Sequence, residues 1–264
     1  MLSKDYEVFG LIRRAPFEIK DKYRNIHHLI DRVHLLPCSL ENQLGLYKII
    51  AEVQPQECYH LAASSFVSYD FDNEASLIST NFNSTHFLLS CIRELAPKCK
   101  FYYAGSSELF GDAVESPQTE KTPFNPRSIY GISKLGSYHV VKNYRDHHGI
   151  FACTGIAYNH ESPRRGFEYV TRKISSGVAK IHLGLSDSVE LGNLETQRDW
   201  GYAPEFVEAM WKMLNAETPE DYVIAGGVSR TLRALLEAAF SAVNLDYQKH
   251  IRIAVGPEIR TKLI

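Results

Sequence analysis

Ser106, Glu108, Tyr130 and Lys134 put a hydroxyl, a carboxylate, a phenol and an ammonium into one short stretch of chain. Each group has a use in carbonyl and hydride chemistry. Oxidation of an alcohol needs the hydroxyl, the phenol and the ammonium. The carboxylate adds something that oxidation does not require, a base able to remove a proton beside a carbonyl and so to drive loss of water.

Tyr130 and Lys134 have the spacing that places two side chains on one face of a helix. An ammonium there is expected to stabilise phenolate and lower the tyrosine pKa. The same Tyr-x-x-x-Lys pattern recurs at Tyr138/Lys142 and Tyr169/Lys173. The first pair is preferred because it opens its helix and follows a strand ending in Ser106-Ser107-Glu108. Taken singly, Ser106 also suits a turn cap, and Glu108 a solvated charge. Arg13 and Arg14 end the first strand, where an arginine can receive a ribose 2′-phosphate and an acid would instead hold the 2′-hydroxyl. A surface basic pair is the plain alternative. Asn159 to Gly166 (NHESPRRG) is a dense polar run after a strand, suited to a phosphate, and Lys173 and Arg198 could join it. No His/Cys/Asp set has metal-ligand spacing, and no Gly-x-Ser-x-Gly elbow occurs.

Positioning these groups requires a sheet. Strands are expected at Tyr6–Arg13, Val33–Leu36, Glu57–Ala63, Lys100–Gly105 and Ile150–Tyr158. Between them, helical spacing covers Leu46–Val53, about Asp70–Leu95 and about Ser128–His148, with Pro55 and Pro97 as stops. Further helices are expected near Val170–His182, Pro204–Leu214 and Thr231–Ala242, with a less regular segment over Leu191–Trp200 and a strand at Tyr222–Ala225. Strand–helix alternation predicts an α/β fold, a doubly wound parallel sheet with ligands at the strands' C-terminal ends. Residues 1–158 would form this core and residues 159–264 a smaller substrate lobe partly interleaved with it.

The chain has 264 residues, 44% hydrophobic and 23% charged, with a formal net charge of -2. These values suit a globular protein and argue against a nucleic-acid or membrane-surface binder. Five dispersed cysteines fit reduced thiols in a cytoplasmic protein. No apolar run is long enough to span a bilayer.

The segments YHLAA, SSELFG, YGISK and NHESPRRG resemble the extended short-chain dehydrogenase/reductase family. TEKTPFNPRSIYGISK, NHESPRRGFEYVTRKI and LGNLETQRDWG resemble, more narrowly, the GDP-mannose 4,6-dehydratases, over nearly the whole chain. The resemblance implies a Rossmann-like fold, NADP as cofactor and GDP-mannose as substrate. It implies that Tyr130 takes the proton of the sugar 4-hydroxyl, that Ser106 hydrogen-bonds the 4-oxygen, that Lys134 supports Tyr130 and the nicotinamide ribose, and that Glu108 removes the C5 proton. Arg13, Arg14, Leu40, Leu61, Ala62, Ala63, Ser64, Ser65, His160 and Arg165 would contact the cofactor, and Asn159, Lys173 and Arg198 the nucleotide sugar. Homo-oligomers, dimers or tetramers, are the family's usual state.

Against the family pattern, the first strand and its glycine-rich turn are expected to be missing before Met1, and the substrate lobe to stop short. The neighbours of that strand would then have unpaired edges, and NADP would bind weakly or not at all. Ser39 stands where the family has an Asp near the adenine, and Ser64 where it has a Gln. An epimerase or reductase of the same fold, or a non-catalytic homologue pairing with an intact enzyme, are the competing readings.

Overall fold

A computed structural model describes residues 4–13, 25–64 and 71–253, with the side chains of residues 71–73 left aside. In chain order, the first half contains β1 (Phe9–Ile12), β2 (His34–Pro37), α1 (Gln43–Val53), β3 (Glu57–His60), α2 (Phe71–Ile78), a π-helical turn over Ser79–Asn83, α3 (Ser84–Leu95), β4 (Lys100–Ala104), α4 (Ile129–His148) and β5 (Ala152–Ala157). The second half contains β6 (Asn159–Glu161), α5 (Val170–His182), β7 (Val189–Leu191), β8 (Gln197–Tyr202), α6 (Ala203–Leu214), β9 (Tyr222–Ile224), β10 (Ser229–Thr231), α7 (Leu232–Ser241) and β11 (Ile251–Ile253).

The central sheet is parallel, in the order β3-β4-β5-β9. Its strands are covered on both faces, and β4 shows why. Phe101 and Tyr103 point into a core shared with Leu46 and Ile50 of α1, Leu88, Leu89 and Ile92 of α3, and Val141 of α4. Tyr102 points the other way, into a core with Phe206, Met210, Met213 and Leu214 of α6. Apolar side chains on both faces mark a buried parallel strand. Residues 203–224 thus return to the first sheet, because α6 packs on it and β9 pairs with β5.

The other strands form small sheets. β1 pairs with β2, parallel and apart from the central sheet. β8 lies between β6 and β10. β7 pairs with β11 beside a separate core of Ile174, Val178, Leu191, Leu236 and Phe240.

The long helix expected from Asp70 is interrupted by the π turn. Asn81 lies on that turn, and its carbonyl accepts from Thr85 Oγ1 at 2.8 Å and from Ser137 Oγ at 3.3 Å. Side chains thus satisfy a carbonyl at the point where the regular ladder changes register. The strands expected at Tyr6–Arg13 and Glu57–Ala63 are also shorter, β1 being confined to Phe9–Ile12 and β3 to Glu57–His60.

α4 is fixed at both ends. Ser128 Oγ accepts from Gly131 N at 3.0 Å as the N-cap, and Gly149 closes the helix at φ +67°. Near its C-terminus Arg145 pairs in two-pronged fashion with Asp221, at 2.9 and 2.8 Å, and Asp221 also accepts from Thr154 N of β5.

His60, at the end of β3, is buried and bonded to Thr85 Oγ1 at 3.1 Å. The Thr85 hydroxyl donates its proton to Asn81 O, so Nε2 of His60 is the donor to it. Burial, and then the Lys134 charge, push the His60 pKa from 6.5 down to about 3. A base whose folded pKa is depressed contributes stability above its unfolded pKa, and this is lost as pH falls toward the folded value. His60→Leu is therefore expected to lose less stability than the parent between pH 7 and pH ~4, by a few kcal/mol. Urea titrations at the two pH values measure it, and equal losses in both proteins would show that His60 is not the acid-sensitive group.

Candidate active site

The proposed catalytic groups emerge where β4 ends and α4 begins. β4 gives way at Gly105 to a single 3-10 turn, Ser107–Leu109, whose N-cap is Ser106. Ser106 Oγ accepts from Glu108 N at 3.2 Å and also hydrogen-bonds the Tyr130 side chain. The capping use of Ser106 and its use beside the phenol are thus both present. α4 can come this close because Gly131 carries no Cβ, which would lie 2.8 Å from Glu108 O.

Glu108 is half-buried rather than solvated. Its charge acts on Tyr130, adding to the rise of that pKa, and on Arg198, whose pKa burial lowers while the Glu108 charge opposes the fall. Tyr130 is pushed up to about 12, by burial first, with the Ser106 hydrogen bond pulling the other way and the Glu108 charge adding to the rise. This departs from the expectation that Lys134 lowers it. The reason is geometric. Lys134 Nζ lies 5.8 Å from the Tyr130 ring centroid and 4.8 Å from that of Tyr103, beneath the rings. Burial also drops Lys134 itself, from 10.5 to about 8.

Among the described residues, Lys134 Nζ makes one hydrogen bond, to Ala104 O at 2.8 Å. An ammonium has three N–H bonds to give. Two therefore remain for a ligand at the sheet's C-terminal edge, which fits the hydroxyls of a cofactor ribose. Leu61 and Ala62 are exposed at the same edge after β3, and Ala63 and Ser64 are half-buried behind them. Leu40 and Leu61 both line a cavity between β1 and β3. Arg13 is exposed just past β1, in reach of solvent and of an anion. Arg14 and Ser65 lie outside the described residues. Ser39 is tied to its own turn, accepting from Glu41 N at 3.4 Å.

The other expected contacts divide. Arg198, on β8, sits within reach of Glu108, and its strand is anchored by Asp199, whose two oxygens accept from Gly226 N and Gly227 N at 2.7 Å each. Asn159 is half-buried and pairs with Trp200 in the β6–β8 register, one position from Arg198's neighbour Asp199. His160 stacks on Phe206 at 4.7 Å and bonds Tyr158 O through Nδ1. Arg165 lies over the Tyr169 ring at 3.6 Å and beside Glu161 at 3.3 Å. Lys173 is exposed on α5. Ser106, Glu108, Tyr130, Lys134 and Arg198 are thus gathered together. His160 and Arg165 are engaged with protein side chains, and among the described residues no contact joins Lys173 to the group.

One residue from a rival Tyr-x-x-x-Lys pair and one not named from the sequence also bear on the site. Tyr169 is near enough to Tyr130 to affect its ionisation. Asn81 is fully buried, accepts from Ser64 N at 2.8 Å, donates to Ser64 O at 3.0 Å and donates to Ser133 Oγ at 3.1 Å. Ser133 in turn donates to Tyr130 O at 2.8 Å. Asn81 therefore locks the loop after β3 to the first turn of α4. A signal was available: residues 81, 84, 85, 88, 89 and 92 form the buried stripe of one helix face, and an amide stands among them. Asn81→Ala is expected to cost about 2–4 kcal/mol, since it strands buried backbone and hydroxyl groups. Urea unfolding measures this, and a loss below ~0.5 kcal/mol, typical of a surface site, would refute the locking role.

The family described as GDP-mannose 4,6 dehydratase matches residues 1–260. The Drosophila melanogaster protein named GDP-mannose 4,6 dehydratase is 43% identical over 253 residues, which are 93% of this chain and 64% of that protein. The Homo sapiens protein of the same name is 44% identical over 247 residues, 91% of this chain and 66% of that one. The chain thus spans just under two thirds of the length of these curated relatives. The solved structure of RMD from Pseudomonas aeruginosa complexed with NADPH superposes with a TM-score of 0.78, covering 87% of this chain and 82% of that one, at 21% identity. That likeness is one of fold. With the matched family running almost from end to end over a parallel sheet of this kind, the chain belongs to the GDP-mannose 4,6-dehydratase family.

Proposed function

We propose that the protein converts GDP-mannose to GDP-4-keto-6-deoxymannose with NADP as its resident cofactor, a step toward GDP-fucose and related deoxysugars. The observation that carries this reading is the half-buried Glu108 carboxylate beside the Tyr130 phenol, with Ser106 bonded to that phenol. Epimerases and reductases of the same fold have no need of such a carboxylate.

A nicotinamide cofactor, when bound, supplies a hydride acceptor at the sugar C4 and a donor at C6. The chain's own residues handle the protons. Tyr130 takes the proton of the 4-hydroxyl, and Ser106 Oγ, already beside the phenol, hydrogen-bonds the 4-oxygen as it becomes a carbonyl. The carbonyl acidifies the C5 proton, and Glu108 takes it. The C6 hydroxyl leaves with a proton as water, and a proton returned to C5 completes the 4-keto-6-deoxy sugar. Lys134 holds positive charge beneath the Tyr130 ring while the phenol gives and takes its proton. Arg198 would face the substrate phosphates from β8 while also opposing the Glu108 charge.

The choice of NADP rests on Arg13, exposed just past the end of β1, where an arginine can receive a 2′-phosphate. A cytoplasmic setting is favoured by the thiols. The five cysteines are unpaired, and burial pushes Cys58 and Cys153 up to about 12, which keeps them protonated. Incubation with GDP-mannose and NADP+ tests the reading. A 4-keto sugar lighter than its precursor by one water is expected. Turnover of another nucleotide hexose with none of GDP-mannose would refute it.

A further inference from the structure

The β4–α4 corner reaches a bound hexose from one side, through Ser106, Glu108 and Tyr130. A pyranose ring has a second side, and residues past Tyr158 must meet it. Among the described residues, two groups from that part of the chain act on the corner: Arg198 on Glu108 and Tyr169 on Tyr130. The first is a cation and suits a phosphate. The second carries a neutral hydroxyl, donor and acceptor at once, which is the natural partner of a sugar hydroxyl.

The chain around Tyr169 is built to hold its ring still. Tyr169 is the N-cap of α5. Its N–H donates to Gly166 O at 3.2 Å, and its carbonyl accepts from Lys173 N at 2.8 Å. The Arg165 guanidinium lies over the ring, 3.6 Å from the centroid. Glu161, on β6, holds that arginine. Its Oε2 lies 3.3 Å from Arg165 Nε and accepts from Thr171 Oγ1, in the first turn of α5, at 2.7 Å. One carboxylate thus fastens strand, loop and helix around a single ring.

The arginine is not placed for its own hydrogen bonding. Among the described residues its buried Nε–H makes no hydrogen bond, being close to Glu161 but out of line with it. Buried donors normally find a partner, and an exception calls for an explanation beyond stability. Here the guanidinium is given to the aromatic face instead.

Sugar chemistry singles out one hydroxyl. The mannose of GDP-mannose is joined to phosphate at C1 and closes its ring through the C5 oxygen. C4 and C6 react. The hydroxyls at C2 and C3 remain to be held, and C3 adjoins the carbon whose hydroxyl meets Tyr130. We propose that Tyr169 is a specificity-determining residue whose phenol hydrogen-bonds the hexose 3-hydroxyl, and that Arg165 is a positioning residue that acts by holding the Tyr169 ring. The inference rests on the catalytic reading above, because that reading places C4 at Tyr130.

Titration calorimetry on the full chain, with GDP-mannose and GDP-3-deoxymannose, tests it apart from turnover. No nicotinamide is added, so no sugar is consumed. The parent is expected to bind the 3-deoxy sugar about tenfold more weakly, the worth of roughly one hydrogen bond. Tyr169→Phe, which keeps the ring and its stack, is expected to bind GDP-mannose about tenfold more weakly and then to bind both sugars alike. Arg165→Met is expected to shrink the parent's preference in the same way. Equal weakening on both sugars with the preference intact, the mark of a merely structural arginine, would overturn its positioning role. A parent without preference, or Tyr169→Phe with the preference intact, would overturn the contact to the 3-hydroxyl and leave the catalytic reading standing. A parent that binds neither sugar would overturn both.

Discussion

Glu108→Gln is expected to stop loss of water from the sugar, lowering formation of the deoxy product by about 10²–10⁴-fold, the usual worth of a positioned base. The amide keeps the shape of the carboxylate but cannot take the C5 proton. Oxidation at C4 depends on Tyr130 and Ser106, which the substitution leaves in place. A 4-keto hexose that retains its 6-hydroxyl should therefore build up together with reduced nicotinamide, at no more than one equivalent per protein. Rapid quenching and mass analysis of the sugar check this. Unimpaired turnover would remove Glu108 from the mechanism. The substitution keeps the cap of the 3-10 turn, which is made by Glu108's backbone N–H.

Lys134→Met is expected to make the protein inactive and more stable at once. The lysine is 3% exposed, and burial lowers its pKa from 10.5 to about 8. Holding it charged at neutral pH costs roughly 3 kcal/mol. Methionine of similar length removes that cost but leaves Ala104 O without its donor, which takes back about 1 kcal/mol. A net gain of about 2 kcal/mol at pH 7 follows. Its pH dependence follows from the sign of the shift. Between about pH 8 and pH 10.5 the unfolded lysine keeps a proton that the folded one has released, so the parent gains stability as pH rises through this window. The difference between the two proteins should therefore shrink from pH 8 upward. Buried thiols such as Cys58, raised from 9.0 to about 12, act the opposite way above pH 9, but they act equally on both proteins and cancel. Denaturant titrations across this range measure the difference. A variant less stable than its parent at pH 7 would show that the ammonium is a net structural asset, not a group kept for chemistry.

Much of the scaffold was legible because its signals are local. Aromatic residues at 101–103 mark a strand buried on both sides, Ser128 and Gly149 bracket α4, and Pro97 closes α3's exit. What escaped is set by contacts far along the chain. The helical stripe through Asn81 continues on either side of the π turn, so periodicity alone gives one long helix. The interruption depends on Ser133, Ser137 and Ser64, which reach Asn81 only in three dimensions. Five strands have three residues; β9 was expected, but in β6, β7, β10 and β11 no alternating pattern stands out over so short a run.

The site shows the same division. The pairing of Tyr130 with Lys134 followed from helical spacing, and Glu108 beside them from its place after β4. The direction of the Tyr130 shift did not follow, because spacing cannot weigh burial against charge, and here burial wins. Nor could spacing bring Arg198 to Glu108, since β8 is placed by contacts distant in sequence, its pairing with β6 and the Asp199 bonds to Gly226 and Gly227 among them.

The central claim is that one bound sugar is oxidised at C4, dehydrated across C5 and C6, and reduced at C6. GDP-mannose carrying deuterium at C4, turned over with unlabelled NADP+, tests it most directly. The account predicts that the label moves to the C6 methyl group of the same sugar, with C4 a carbonyl and the nicotinamide neither labelled nor consumed. A product that keeps deuterium at C4, or a label that drains into the nicotinamide pool while C6 stays hydroxylated, would contradict it.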